Sequence, residues 1–243
     1  MQRSPKVAIV AAMEREVRPL VENWRETERE HQGRGFTFFE DEHAVLVCGG
    51  IGAEAARRAG EAIVVAYDPF MLMSVGFAGA LDQGLRAGSV FAPHTIIDAG
   101  DGSRIEGGGD DGVLLSFASI VGPEQKARLA KAYGAQAVDM EAAAVARAAQ
   151  AHGIEFRAIK AISDEADFAM PPLLAFLGDD GRLKTAKLVV YAVLRPWLWL
   201  RFARLARNSY RAANALCAAL ARFNCPAALG PRRQLQPASG PER

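Results

Sequence analysis

Ala137-Val138-Asp139-Met140-Glu141-Ala142-Ala143-Ala144-Val145 and, after it, Phe156-Arg157-Ala158-Ile159-Lys160-Ala161-Ile162-Ser163-Asp164 are the stretches on which the fold turns. They read as an alanine-rich helix from Asp139 to His152, ended by Gly153, and then an apolar strand from Phe156 to Ser163. One helix and one strand therefore separate the acidic groups at the two ends. Open α/β sheets bind ligands beyond the C-terminal ends of their strands, so both sets of carboxyl groups can emerge at one sheet edge.

The same alternation extends towards the N-terminus. Val7 to Ala12 is a continuous apolar run, as expected of a strand covered on both faces. Glu14 to Trp24 places Val17, Leu20, Val21 and Trp24 at helical spacing. Phe36 to Phe39 and Ala44 to Cys48 read as strands around the polar turn Asp41-Glu42-His43. Gly49-Gly50-Ile51-Gly52 leads into a helix from Ala53 to Tyr67, with Pro69 beyond its end. Met71 to Val75 is a further strand, expected to deliver a second glycine turn, Gly76-Phe77-Ala78-Gly79. Val90 to Asp98 and Leu114 to Ile120 read as strands on either side of a glycine- and aspartate-rich loop, and Pro123 starts a helix to Tyr133. Strands alternating with helices imply an α/β fold with a mainly parallel sheet covered on both faces.

Half of the 243 residues are hydrophobic and the net charge is +1, which excludes a disordered acidic or basic chain. The balance hides an asymmetry. Arg182 to Arg243 holds twelve Lys and Arg against one acid, Glu242, so the rest of the chain carries about −10. The chain divides accordingly into a 1–181 α/β body, a basic amphipathic helical segment at 182–225 and a disordered tail at 226–243. Pro196 can open a helix to about Phe223, with Arg201, Arg204, Arg207 and Arg211 on one side and Leu198, Trp199, Phe202 and Leu205 on the other. Such a helix either packs on the domain or lies on anionic lipid, which would make the 196–223 segment a peripheral membrane contact.

Cys48, Cys217 and Cys225 form no Cys-x-x-Cys pair, and His31, His43, His94 and His152 have no metal-ligand spacing. A reducing cytoplasm is the expected location, at most peripheral to the inner face of the membrane. The N-terminus shows no signal-peptide pattern, and no stretch reaches the ~18 apolar residues of a spanning helix.

Val-Asp-Met-Glu-Ala-Ala-Ala, the Ala-Ile-Ser-Asp ending and the two glycine turns in this order resemble the nucleoside phosphorylase/nucleosidase superfamily. The nearest likeness is to methylthioadenosine/S-adenosylhomocysteine nucleosidases and hopanoid-associated phosphorylases. The resemblance covers about Val7 to Asp167 and implies a phosphorylase-type central mixed sheet flanked by helices, here with a basic C-terminal helix. It implies cleavage of the N-glycosidic bond of a 5′-substituted adenosine, whether methylthioadenosine, adenosylhomocysteine or an adenosylated lipid such as adenosylhopane. The implied partner is a small or lipid-linked nucleoside, not nucleic acid, and the implied assembly is a homo-oligomer. No metal or organic cofactor is implied; phosphate is an open alternative to water as nucleophile.

Such a reaction needs a proton or hydrogen bond for the purine N7, stabilisation of the ribosyl cation, and a positioned nucleophile. By the resemblance, Asp164, steadied by Ser163, acts on the purine; as residues alone, Ser163-Asp164-Glu165 also makes a good helix cap. Glu141 and Met140 contact the ribose, with Asp139 beside the pocket, although acids also simply favour a helix N-terminus. Met13 and Glu16 match the segment that positions the attacking water. Gly76 and Phe77 bring backbone and a ring to the nucleophile, Phe77 replacing the small residue usual there. Phe117, Ile120 and Val121 are the candidates to meet the base. The phosphorylases carry an arginine before the second glycine turn; none precedes Gly76, leaving Arg57 and Arg86 as substitutes, while Arg15 and Arg18 beside Glu16 also leave room for a phosphate. That departure, with Phe77, would also suit a nucleoside sensor without turnover.

Overall fold

A computed structural model describes residues 6–171, 173–176, 178 and 184–223. Strand β1 (Val7–Ala11) is buried throughout and leads to helix α1 (Glu14–Val21). The helix ends before Trp24, because the chain turns into a strand that the sequence did not announce, β2 (Arg25–His31). Arg-Glu-Thr-Glu-Arg-Glu-His has no apolar alternation, and its polar faces suit the place it takes, the outer edge of the sheet beside β3 (Arg34–Glu40). β4 (Ala44–Cys48), α2 (Ala53–Tyr67) and β5 (Met71–Ala80) follow. Here the structure corrects the expected second glycine turn: Gly76-Phe77-Ala78-Gly79 lies inside β5, not after it.

The expected strand at 90–98 is broken at Ala92 into β6 (Val90–Phe91) and β7 (Pro93–Asp98). The glycine-rich loop contains β8 (Arg104–Glu106) and enters β9 (Asp111–Ser116), which stops well short of Ile120. Helix α3 (Pro123–Tyr133) starts on its proline and closes on Gly134 in the left-handed conformation. The helix expected from Asp139 starts three residues later. Asp139 ends a strand, β10 (Ala137–Asp139), and Glu141 sits at the N-cap of helix α4 (Ala142–Ala151). β11 (Glu155–Asp164) is the last described strand; α5 (Thr185–Val193) and α6 (Trp199–Phe223) complete the described chain.

The described strands form one mixed sheet in which β5 is the hub. Along one edge β5 pairs in parallel with β1 over Met71–Ser74, then antiparallel with β10 at Gly79 and Ala80. Along the other edge it pairs with β11 over nearly its whole length, with a register shift between Ile162 and Asp164. Residues 75–78 thus lie between the departure of β1 and the arrival of β10. The ends of β1, β10 and β11 converge around this gap.

Two apolar layers hold the sheet. On one side α2 and α4 bury Ala56, Ala59, Ile63, Val145 and Ala148 against Ala8, Val47 and Leu72. Gly60 keeps that contact close: a Cβ on it would lie 3.2 Å from the Cβ of Ala148, so the two helices pack at small residues. On the other side Val17 and Val21 of α1 share a core with Ile9, Met73 and Ile159. Helix α6 completes that core with Ala212, Leu216 and Leu220, while Arg201, Arg204, Arg207 and Arg211 remain exposed. Of the side expected to be apolar, Leu198, Phe202 and Leu205 are partly buried and Trp199 is exposed.

Candidate active site

The gap beside β5 opens into a cavity of about 140 Å³. Its lining includes Met13, Glu16, Phe77, Ile120, Val121, Asp139, Met140, Glu141, Ser163 and Asp164. Of the residues assigned to the site from sequence, Gly76 and Phe117 are not in that lining, nor are Arg57 and Arg86, the two arginines offered as substitute phosphate ligands.

Glu16 reaches the site from the first turn of α1, where one carboxylate oxygen lies 3.4 Å from the Met13 amide. It is almost wholly buried. Burial, reinforced by the charge of Glu141, pushes its pKa up to about 7 against the pull of Lys160 and Arg15. Gly76 makes this placement possible. Its φ of +141° is one that L side chains rarely adopt, and a Cβ would lie 2.7 Å from Glu16 Oε2. Gly76 therefore serves the site from behind, by leaving room for a carboxylate.

Glu141 is held by two backbone donors, the Gly52 amide at 2.8 Å and the Met140 amide at 3.2 Å. Gly52 is the N-cap of α2, and Glu141 is itself the N-cap of α4, so the starts of two helices meet at this carboxylate. Removal from water, together with Asp139, raises its pKa to about 7 despite Lys160 and the two amides. Asp139 faces inward: it accepts from Ser116 Oγ at 2.7 Å and from the Ala142 amide at 2.9 Å, capping α4. It also pairs with Lys160 Nζ at 2.8 Å. Lys160 is wholly buried in β11 and donates to Ser74 Oγ at 3.1 Å. Burial pushes the Lys160 ammonium down, but Asp139, Glu141 and Glu16 outweigh it and hold its pKa above the ordinary lysine value. One cation thus offsets part of the charge of three clustered carboxyl groups.

Asp164 stands at the end of β11, where the register shift re-aims the strand. Ser163 Oγ donates to its Oδ1 at 2.7 Å, as its neighbouring position in sequence implies. Its other oxygen is ion-paired with Lys126 of α3, which also donates to the Glu165 carbonyl at 2.8 Å. Opposite them Leu205 and Ser209 of α6 and Met170 form part of the wall. Arg204 fixes α6 there by pairing with Glu165 at 2.5 Å. Among the described residues no group of His, Cys, Asp and Glu is arranged to hold a metal ion.

A family model described as the phosphorylase superfamily matches residues 6–121 and 110–189. The chain belongs to the phosphorylase superfamily. It is 28% identical over 204 residues to a 5′-methylthioadenosine/S-adenosylhomocysteine nucleosidase of Actinobacillus succinogenes, covering 67% of this chain and 86% of the relative. Its fold matches an S-adenosylhomocysteine nucleosidase from Streptococcus pyogenes solved with 5-methylthiotubericidin, at a TM-score of 0.68 and 18% identity, over 95% of this chain and 99% of the other. It also matches futalosine hydrolase of Helicobacter pylori at a TM-score of 0.65 and 19% identity, over 90% and 98% of the two chains.

Within this superfamily chain, the base-side candidates sort by position. Ile120 and Val121 reach the cavity, whereas Phe117 packs partly buried against the Leu81, Ile97 and Leu115 cluster. Arg57 pairs with Glu54 and Glu61 on the outside of α2, and Arg86 is exposed; neither lines the cavity. The lining cations are Arg15 and Lys126. Lys126 escaped the sequence reading because a lysine three residues into a helix reads as solvated. Lys160 was available as a signal, being a lone charge inside an apolar strand, but its partners lie in other elements.

Proposed function

We propose that this chain cleaves the N-glycosidic bond of a 5′-substituted adenosine and releases adenine. The observation that carries the reading is the convergence of Glu16, Glu141 and Asp164, from three separate strand ends, on one cavity. Asp164, with Lys126 behind it, presents a proton-carrying pair to the purine, so that N7 gains a hydrogen bond as the base departs. Glu141, fixed by the Gly52 and Met140 amides, accepts hydrogen bonds from the ribose hydroxyls and favours positive charge at C1′. Met140 packs on the sugar. Glu16, in its ionised form, takes a proton from the attacking water.

Water suits the site better than phosphate. An anionic nucleophile would approach between Glu16 and Glu141, two carboxyl groups against which Arg15 is the one arginine in the lining. Met170 and Leu205 on the wall suit an apolar 5′ substituent, either methylthio or an adenosylated lipid such as adenosylhopane. Incubation of the full chain with methylthioadenosine, S-adenosylhomocysteine and an adenosylated lipid, each with and without phosphate, tests the reading. Adenine release independent of phosphate is expected. Release only with phosphate would replace hydrolysis by phosphorolysis, and release from none would leave a nucleoside-binding protein.

A further inference from the structure

Val190 and Val193 of α5 and Leu194, Trp197, Trp199 and Leu200 beyond it are each more than half exposed. Scattered apolar residues on a surface need no explanation, but six within eleven positions form a patch that monomeric proteins seldom leave open. The apolar residues further along α6 are engaged elsewhere: Leu205 lines the cavity, and Ala212, Leu216 and Leu220 lie in the core. The surrounding charge is of one sign. Lys184 and Lys187 are exposed, Arg195 stacks on the Tyr191 ring at 3.8 Å, Arg201 is exposed, and residues 184–223 contain no Asp or Glu.

We propose that α5 and the turn entering α6 form a surface that docks on an anionic lipid bilayer. Tryptophan beside aliphatic residues is the composition of a membrane interface, and cations around them meet acidic headgroups. A second copy of the chain is a poorer occupant. A two-fold contact would set this patch against itself and bring its cations face to face with no acid between them. No described helix is long and apolar enough to cross a membrane, so the contact lies along the surface. Its position gives it a use. α6 runs from the patch to Leu205 and Ser209 on the cavity wall, so docking would bring the cavity close to the lipid. The inference goes beyond the reaction and holds whichever nucleoside is cleaved.

The test uses the full chain with vesicles of phosphatidylcholine mixed with phosphatidylglycerol, and of phosphatidylcholine alone. At low salt the chain should sediment with the anionic vesicles, its tryptophan emission shifting to shorter wavelength, and raising salt to about 0.5 M should release it. The exposed double variant Trp197→Glu/Leu200→Glu should bind at least about tenfold less while cleaving a water-soluble nucleoside at the wild-type rate. Val193→Glu should weaken binding from the other end of the patch. Absence of wild-type binding at low salt, or undiminished binding by both variants, overturns the proposal. So does a concentration-dependent dimer that the variants dissociate while vesicles stay unbound, which would assign the patch to a second copy.

Discussion

Lys126 and Asp164, thirty-eight residues apart, form an ion pair in which the two side chains are 1% and 5% exposed. One comes from the first turns of α3 and the other from the end of β11, so the pair ties a peripheral helix to the central sheet at the cavity wall. A buried pair of this kind contributes little net stability, because desolvation offsets attraction, but removing one member strands the other. Chemistry and folding are therefore entangled at Asp164.

Asp164→Asn should lower turnover by ~10²–10⁴-fold, the range for a lost proton donor. It should also destabilise the fold by about 3–5 kcal/mol, since the Lys126 ammonium loses its counter-charge. Adding Lys126→Met should restore much of that stability without restoring turnover. Turnover and urea midpoints measured on the single and double variants check both statements; near-normal turnover in Asp164→Asn would remove the aspartate from the reaction.

Glu141 accepts from two amides, and the proposed function gives its remaining lone pairs to the ribose hydroxyls. The wild-type chain should prefer ribosides to 2′-deoxyribosides, and Glu141→Gln should lose both rate and that preference. Equal kcat/KM for the two sugars in the wild type would contradict the assignment.

The raised pKa of Glu16, about 7, gives two pH dependences of opposite sense. As a base it works ionised, so kcat/KM should climb as pH rises through about 7, and Glu16→Gln should be slow with a flattened profile. For stability the sign reverses. A carboxyl group whose folded pKa lies above its ordinary 4.5 binds protons more tightly when folded, so its contribution is full below about 4.5 and is lost as pH rises through about 7. Melting temperatures from pH 4 to 8 should accordingly fall less for Glu16→Gln than for the wild type.

Gly76→Ala should be disproportionately harmful for one methyl group, because the new Cβ meets Glu16 Oε2 and the backbone is already at positive φ. We expect a loss of about 1–3 kcal/mol from backbone strain alone, with activity falling further as the carboxylate is displaced. Wild-type activity in a folded Gly76→Ala chain would show that Glu16 can work from another position.

Leu216→Ala should cost about 2–5 kcal/mol, since Leu216 is fully buried between α6 and the sheet. Chemical denaturation measures it. Deleting the chain from residue 196 should prevent folding rather than yield a soluble truncated domain.

The apolar strands and the helices with caps or prolines could be read from sequence because their signals are local. β1, β4, α2 and α3 needed only a run, a glycine turn or a proline. What escaped was decided by distant partners. β2 is polar on both faces because it lies at the edge, so burial left no pattern in it. The glycines of β5 looked like a turn, although one of them makes room for Glu16 from another element. The acids of the site were legible through motif likeness, but their counter-ions were not. Lys126 and Lys160 acquire meaning only when α3 and β11 are folded against Asp164 and Asp139.

The close approach of α2 and α4 at Gly60 and Ala148 has a mechanical side. The two helices touch midway, at Gly60 and Ala148, and again at their starts, where the Gly52 amide donates to Glu141. A methyl group added at Gly60 would press on Ala148 and so bear on the spacing that sets the Gly52–Glu141 hydrogen bond, and with it, under the proposed role of Glu141, on the hold of the ribose. Under the proposed role of Glu141, Gly60 and Ala148 would therefore influence sugar selectivity although neither lines the cavity.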